Sequence, residues 1–156
     1  MTQNPIPCML MRGGTSKGVY LLAQDLPSDS TDRDRLLLRI MGSPDPRQID
    51  GLGGATSLTS KVAMVSLSSR SDCDVDYHFA QVGVETNAVD TGPTCGNILV
   101  GVGPFAILRG LVGTSDEETC IRTWDVNTES RMNIVVPTPG GVLEFGGDVS
   151  IDGVPG

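Results

Sequence analysis

TCGNILVGVGPFAILRGL, residues 94–111, is the stretch of this sequence that decides the fold. Its apolar residues leave no polar face on a helical wheel, and a helix without a polar face packs in the interior of a protein. Gly101, Gly103 and Pro104 allow a kink, and Gly110 is a suitable carboxyl-terminal cap. The stretch therefore predicts a buried central helix that can be kinked.

Short alternating segments on both sides of this stretch predict strands. The predicted strands cover residues 7–11, 17–23, 61–67, 75–84, 119–126 and 132–136, with a final short pair introduced at 140–141. Residues 33–41 predict one amphipathic surface helix, with Leu36, Leu37 and Ile40 on one side. The chain is mostly β around one buried helix, which indicates an α+β fold.

Length and charge limit the classes of function. The 156 residues suffice for one domain with a real core, whereas two full domains would be cramped. A net charge of -8 argues against nucleic acid as a partner, because such partners are usually held by clustered Lys and Arg. Apolar runs are short and residues 1–11 lack a signal-like leader. We therefore expect no membrane partner and a cytoplasmic location.

The four cysteines and the single histidine do not form a metal-binding pattern. Cys8, Cys73, Cys95 and Cys120 are spread along the chain without a C-x-x-C pair, and His78 is the only histidine. No metal site is expected from this arrangement, and the cysteines are expected to be free thiols. His78, which falls in a predicted strand, is interpreted as structural.

Cys95 is the first candidate for chemistry, because it directly precedes the apolar stretch. A thiol at a helix amino terminus faces unpaired N–H groups, which favour its thiolate and make it a usable acid or base. Gly96 and Asn97 would let a substrate carboxylate approach the same N–H groups. The alternative is that Cys95 is a buried residue at the helix start, and spacing alone favours that alternative.

The turn RGGTSKG, residues 12–18, is a candidate anion site. It offers the backbone of Gly14, the hydroxyls of Thr15 and Ser16, and the cations Arg12 and Lys17. The spacing is not that of a P-loop, and no helix is predicted to follow it. An ordinary hairpin turn explains the same residues equally well.

Lys61 is the third candidate, at the point where a Gly/Ser/Thr-rich loop enters an apolar strand. The loop carries Gly53, Gly54 and Ser60 and lacks the glycine spacing of a dinucleotide-binding site. Burial at the strand entrance could desolvate the ammonium of Lys61 and make it a base. Most such lysines are solvated strand ends. Basic residues within such loops of an acidic protein nevertheless suggest a small polyanionic substrate.

Three segments together carry a resemblance to a known family. They are residues 12–18 (RGGTSKG), 48–54 (QIDGLGG) with 59–61 (TSK), and 94–97 (TCGN). In order and spacing they resemble the amino-terminal signatures of PrpF-type isomerases, and the likeness spans essentially the whole chain. The opening PCMLMRGG, residues 7–14, is most similar to members that tautomerise 4-oxalomesaconate in gallate breakdown.

The resemblance implies a diaminopimelate-epimerase-like fold, in which two similar domains each wrap a β-barrel-like antiparallel sheet around a buried central helix. Family members are roughly twice as long, as two domains require. Residues 1–156 would then be the amino-terminal domain of a normally two-domain isomerase, with the second domain absent from this chain. A sheet edge left open in this way could support homo-oligomers.

The resemblance also implies a reaction and its residues. An isomerase of this type moves a proton on an unsaturated oxo-tricarboxylic acid without a cofactor. Lys61 and Cys95 are the implied acid and base, and the resemblance does not assign which of the two abstracts the proton. The implied substrate-binding residues are Arg12, Gly14, Thr15, Ser16, Lys17, Gly53, Gly54, Ser60, Gly96 and Asn97. The substrate that the resemblance favours is 4-oxalomesaconate. The alternatives are 2-methylaconitate, or an inactive fragment that binds only anions or partner chains.

Overall fold

The computed structural model describes residues 4–154. Residues 1–3, which belong to the segment predicted to lack a signal-like leader, and residues 155–156 lie outside the described range. Within the described part there are seven strands and three helices. The strands are β1 Cys8–Gly13, β2 Ser16–Leu22, β3 Lys61–Leu67, β4 Val75–Val82, β5 Val89–Asp90, β6 Glu117–Asp125 and β7 Ser130–Thr138. The helices are α1 Ser30–Met41, α2 Gly96–Leu99 and α3 Val102–Leu108. The α+β class is confirmed.

The strands form one curled sheet in the order β1-β2-β3-β4-β6-β7, with β5 paired to the end of β4. Most neighbours are antiparallel, but β2 pairs parallel with β3, and β4 pairs parallel with β6. The sheet is therefore mixed rather than wholly antiparallel. Each parallel pair is joined by a long crossover, one through α1 and the other through α2 and α3. The sheet stays open as a half-barrel between β1 and β7.

The two faces of the sheet carry separate apolar cores. Because side chains alternate along a strand, successive residues of β2, β3 and β4 point to opposite faces. The face under α2 and α3 buries Tyr20, Leu22, Ala63, Val65, Val75, Tyr77, Phe79, Ile98, Val102, Phe105, Ala106, Ile121 and Val136. The face under α1 buries Val19, Leu21, Leu26, Leu37, Met41, Val62, Met64, Ala80 and Val82. The predicted central helix region thus covers one face of the sheet.

The kinkable central helix predicted over residues 94–111 is formed as two short helices, α2 and α3. The hydroxyl of Tyr20 donates to the carbonyl of Ile98 at 2.7 Å, and the Tyr20 ring lies where a side chain on Gly101 would be. The chain breaks there into α2 and α3. Burial is also one-sided, since Val100 is 58% exposed and Leu108 is 49% exposed. The stretch packs against the sheet with one side and exposes the other side to solvent.

Helix α1 confirms the predicted amphipathic helix and begins three residues earlier. Asp29 is its amino-terminal cap and accepts from the N–H of Asp32, and Gly42 ends it at a φ of 82°. Leu37 and Met41 are buried, whereas Leu36 and Ile40 are only partly buried. No helix within residues 4–154 has both the length and the apolar surface needed to cross a bilayer.

The final short strand pair predicted to follow Gly140 and Gly141 is not formed, and only an isolated bridge joins Ile151 to Val154. Gly140 and Gly141 have φ values of 64° and 76°, and they lie in a 3-10 turn that ends β7. His78 is half-buried on the face under α1, and burial, followed by the nearby Arg33, lowers the pKa of its imidazole. The four cysteines are free thiols, as expected.

Candidate active site

The strand register places three candidate regions at one end of the sheet. Gly18 of β2 lies beside Lys61 of β3, and Lys61 lies opposite Gln81 of β4. Side chains of paired residues share a face, so Lys61 and Gln81 point to the face under α2. Ser16, two residues before Gly18, points to that face as well. The loop before β3, the turn before β2 and the start of α2 therefore meet there.

Lys61 is buried without an opposing charge. The residue is 9% exposed, and its Nζ donates to Oε1 of Gln81 at 2.7 Å. The same Nζ lies 5.1 Å from the centre of the Phe79 ring, a cation–π distance. No described carboxylate lies within 4.0 Å of this ammonium. A neutral amide and an aromatic ring thus replace the water around Lys61, and it is not a solvated strand end.

Gln48 braces the loop that leads into Lys61. Its side chain is buried, its Nε2 donates to the hydroxyl of Ser60 at 2.8 Å, and its Oε1 accepts from the N–H of Ala55 at 2.9 Å. The hydroxyl of Ser60 in turn donates to the carbonyl of Val82 at 2.9 Å. A side chain on Gly53 would collide with the Gln48 amide. Gly53 and Ser60 therefore shape the loop.

Cys95 caps α2 and lies partly buried beside the core under that helix. Its carbonyl accepts from the N–H of Leu99 at 2.9 Å and from the hydroxyl of Tyr77 at 3.1 Å, while its side chain makes no capping hydrogen bond. Helix α2 is one turn long, so the expected macrodipole of a long helix does not apply. The unpaired N–H groups of the first turn remain next to the thiol.

Asn97 joins the start of α2 to the turn between β1 and β2. Its Nδ2 donates to the hydroxyl of Thr15 at 3.0 Å. A side chain on Gly13 would collide with the Asn97 carbonyl, and one on Gly14, where φ is 50°, would collide with its amide. Glycine at these two positions is what allows the turn to approach the helix. Gly14, Thr15 and Asn97, three of the predicted substrate-binding residues, therefore lie in contact with one another.

The hydroxyl of Ser16 is buried and has no hydrogen-bond partner among the described residues. It lies next to this junction, on the face that carries Lys61. A buried hydroxyl without a partner is rare in folded proteins, because each such group costs about 1–3 kcal/mol. Ser16 is thus available to donate to a ligand.

Arg12 and Lys17 do not join this arrangement. They pair with each other across the hairpin and point to the opposite face from Ser16. The exposed Arg12 donates through Nε to the Gly14 carbonyl at 2.9 Å, and the Nζ of Lys17 lies beside Gly54. The structure therefore separates these two cations and Gly54 from the face of Lys61 and Cys95.

Comparison with known proteins identifies the family. A family model described as PrpF protein matches residues 3–156 of the chain. The chain belongs to the PrpF family. It is 59% identical over 156 residues to 4-oxalomesaconate tautomerase of Pseudomonas putida, a match that covers 100% of this chain and 43% of that protein.

Two solved structures extend the comparison. A crystal structure of methylitaconate-delta-isomerase has a TM-score of 0.92 and 49% identity to the PrpF chain, covering 97% of it and 39% of that structure. A probable proline racemase from Agrobacterium radiobacter K84 has a TM-score of 0.54 at 13% identity, covering 88% of the PrpF chain and 40% of that structure, so it shares the fold alone. The expected diaminopimelate-epimerase-like fold is confirmed. The PrpF chain spans less than half the length of these relatives.

Sequence reasoning missed the polar residues that hold the PrpF site together. Gln81 contacts Lys61, and Gln48 braces its loop. The side chain of Asn127 donates to the carbonyls of Phe79 and Thr91 at 2.9 and 2.7 Å and accepts from the Phe79 N–H at 2.7 Å. Gln48 lies in the segment 48–54 that carries the family resemblance, so the sequence offered a signal for it. Gln81 and Asn127 lie outside all three of those segments and gave no signal in a single sequence.

Asp125 is a further residue that the sequence did not indicate. Its carboxylate is fully buried, and one oxygen accepts from the hydroxyl of Thr94 at 2.5 Å. The other oxygen accepts from the N–H of Asn127 at 2.9 Å. Asp125 and Asn127 together fix the segment that precedes Cys95. Trp124, beside them in the sequence, is only partly buried and lies under the guanidinium of Arg70 at 3.9 Å.

Proposed function

We propose that this PrpF chain contributes the acid–base half of a cofactor-independent isomerase that moves a proton on a small unsaturated oxo-tricarboxylic acid, with 4-oxalomesaconate as the first substrate. The observation that supports this most is the buried ammonium of Lys61, which has no opposing charge and shares a face with Cys95 and the unpartnered hydroxyl of Ser16. A place in gallate breakdown and a cytoplasmic location belong to the same proposal.

The reaction needs two proton-transfer groups and a place for negative charge. One group takes a proton from the carbon next to the keto group, and the electron pair of the broken C–H bond moves onto the keto oxygen. The other group returns a proton to a different atom of the delocalised enolate, either its oxygen or the far carbon of the allylic system, so the product is an isomer and atoms and charge balance. We assign these two roles to Lys61 and Cys95 as a pair. General acid–base catalysis of this kind contributes about 10²–10⁴-fold to a rate.

The negative charge that develops on oxygen requires donors that are already in position. We assign this role to the hydroxyls of Ser16 and Thr15 and to the N–H groups of Gly14, Gly96 and Asn97, which lie around the junction of the β1–β2 turn with α2. Arg12, Lys17, Gly53, Gly54 and Ser60 complete the proposed substrate-binding residues. The first two of these act from the opposite face by attracting a polyanion, and the last three by shaping the loop.

The remaining wall of the site lies outside this chain in our proposal. The tautomerase of Pseudomonas putida is matched over only 43% of its length, and Cys95, at the start of α2, is only partly buried. Residues 1–156 would then be the first of two domains, and the second domain would close the cleft. Homo-oligomers formed through the open strand edge are a further possibility that size measurement would decide.

Deuterium incorporation from solvent, followed by NMR, tests the proposed reaction. The substrates are 4-oxalomesaconate, 2-methylaconitate and methylitaconate. The proteins are this chain and a chimera in which the remaining part of the Pseudomonas putida tautomerase follows it. We expect exchange into 4-oxalomesaconate by the chimera, and loss of exchange by at least about a hundredfold in Lys61→Ala and in Cys95→Ser.

Arg35→Ala and Cys120→Ser are the matched controls, because they alter an exposed cation on α1 and an exposed cysteine, both outside the proposed site. Both should retain exchange. A chimera that is inert on all three acids contradicts the proposed function. Exchange into 2-methylaconitate but not 4-oxalomesaconate would replace the substrate and keep the mechanism. Exchange by the chimera but not by the chain alone would make this chain an incomplete site that binds anions only.

A further inference from the structure

We propose that Gln81 is the positioning residue for Lys61: its amide oxygen fixes the ammonium in place without neutralising its charge. The inference rests on the proposed role of Lys61 as an acid or base. It adds a residue that neither the sequence motifs nor the family resemblance indicated. Gln81 lies opposite Lys61 on the neighbouring strand β4 and is itself partly buried.

The orientation of the Gln81 amide is determined by its surroundings. Its Nε2 donates to the carbonyls of Ser60 and Ser57 at 2.8 and 3.1 Å. Backbone carbonyls only accept, so the NH₂ group must face them and the oxygen must face Lys61. The ammonium of Lys61 only donates, and the flipped amide would present N–H groups to it. Three contacts thus agree on one orientation.

The same contacts tie Lys61 to the loop that precedes it. Ser57 and Ser60 belong to that loop, and the carbonyl of Ser60 also accepts from the N–H of Val82 at 3.0 Å. Gln81 therefore links loop, ammonium and strand through one rigid amide. A lysine side chain has four rotatable bonds, and a single fixed acceptor removes most of that freedom.

A neutral acceptor at this place has a chemical consequence. A carboxylate at the same distance would favour the charged form of the amine and oppose its action as a base. The groups that face Lys61 from the packed elements are uncharged: Gly18 on β2, Phe79 on β4 and Ile98 on α2. Asp90 lies opposite Gln81 on β5, but it is exposed and its carboxylate accepts from the N–H of Gly92 at 2.9 Å. Cys95, Tyr20 and Tyr77 are the titratable groups that share the apolar cluster of this face, and both tyrosine hydroxyls donate to backbone carbonyls of the α2 segment.

The first test is acetylation, which reports the neutral amine and does not depend on turnover. The sequence has only two lysines, so Lys17 serves as the internal reference for Lys61. The measured quantity is the ratio of Lys61 to Lys17 acetylation after an acetic anhydride pulse, determined by peptide mass spectrometry. Gln81→Glu places a carboxylate next to Lys61 and should lower the ratio at least about fivefold. Gln81→Met removes the hydrogen-bond acceptor at nearly constant side-chain length and should raise the acetylation ratio. Gln24→Glu adds the same charge at an exposed position and should leave it unchanged.

The second test uses the chimera and its pH–rate profile. Gln81→Met should lower kcat at least about tenfold with KM changed less than twofold, because Gln81 is not a proposed substrate-binding residue and contacts Ser60 only at its backbone carbonyl. Gln81→Glu should move the rising limb of the profile to higher pH. A ratio in Gln81→Glu within twofold of the unaltered chain would overturn the inference, whatever the activity. Altered acetylation together with an inert parent chimera would keep the Gln81 contact and reject the proposed function.

Discussion

The surroundings of Lys61 differ from those of Cys95 in burial and in the groups that hold each residue. Lys61 is 9% exposed, and two glutamine side chains, Gln81 and Gln48, fix its ammonium and its loop. Cys95 is more exposed, and the contacts around it reach its backbone or the segment before it. The hydroxyl of Tyr77 donates to its carbonyl, and Asn127 holds the preceding loop.

This difference follows from the chemistry of the two side chains. A buried ammonium needs a polar partner, because an unpaired buried charge is costly. A thiol is a weak donor that packs like a small apolar group, so it can be positioned through its backbone alone. The ammonium of Lys61 therefore has a polar partner among the described residues, whereas Cys95 is partly exposed.

The largest effect is expected from Asn127→Ala, which breaks the support on the Cys95 side. The change removes three hydrogen bonds and leaves the N–H of Phe79 and the carbonyls of Phe79 and Thr91 without that partner. We expect a loss of about 3 kcal/mol in the free energy of unfolding, measured by urea denaturation. Asn127→Asp keeps the acceptor but not the donors and should lose less. Equal stability of all three proteins would show that the amide does not support this segment.

Gln48→Met tests the support on the Lys61 side. The methionine fills the space of the glutamine but cannot bond to Ser60 or Ala55. We expect a loss of about 2 kcal/mol in unfolding free energy and faster acetylation of Lys61 relative to Lys17. Iodoacetamide labelling of Cys95 should stay unchanged in this variant. A change at Cys95 as large as that at Lys61 would mean that the two regions are not independent.

High pH should weaken the Cys95 side through its tyrosines. Burial, followed by the charge of Cys95, raises the pKa of Tyr77 and of Tyr20 above the ordinary value of 10.0. Because the folded pKa is the higher one, this contribution to stability is intact below pH 10.0 and is lost as the pH rises toward the folded pKa.

Each tyrosine should then contribute a decline of about 1.4 kcal/mol per pH unit above that point. Tyr77→Phe removes one of the two and should make the decline shallower by that amount, as measured by urea denaturation at several alkaline pH values. Tyr20→Phe is the matched comparison, since its hydroxyl binds Ile98 instead of Cys95. An unchanged slope in both variants would show that neither hydroxyl ionises with unfolding.

The smallest effect is expected from Thr94→Val, which removes one donor to the buried carboxylate of Asp125. The carboxylate keeps the N–H of Asn127, so we expect a loss of only about 1 kcal/mol in unfolding free energy. Labelling of Cys95 should rise severalfold, while that of Cys8 and Cys120 stays constant. Thr94→Ser retains the hydroxyl and should behave as the unaltered chain. If the serine variant also labels faster, the side-chain methyl and not the hydroxyl positions this segment.

Local patterns predicted most of the elements. Alternation and glycine turns located β1 to β4, β6 and β7, and the cap at Asp29 fits the predicted start of α1 to within three residues. The same patterns allowed a kink near Gly101 without deciding whether it forms, and they failed at Gly140, where no strand pair begins. The position of the Tyr20 ring, eighty-one residues before Gly101, breaks the apolar stretch into two helices.

The sequence by itself determined the family, the α+β class and the candidates Lys61 and Cys95, because these depend on motifs and spacings along the chain. Only the tertiary structure decided which candidates share a face. It placed Ser16 on the same sheet face as Lys61, turned Arg12 and Lys17 to the other face, and supplied Gln81 and Asn127 as polar partners. These placements depend on strand register and on hydrogen bonds between residues that are far apart in the sequence. Local sequence patterns determine neither of them.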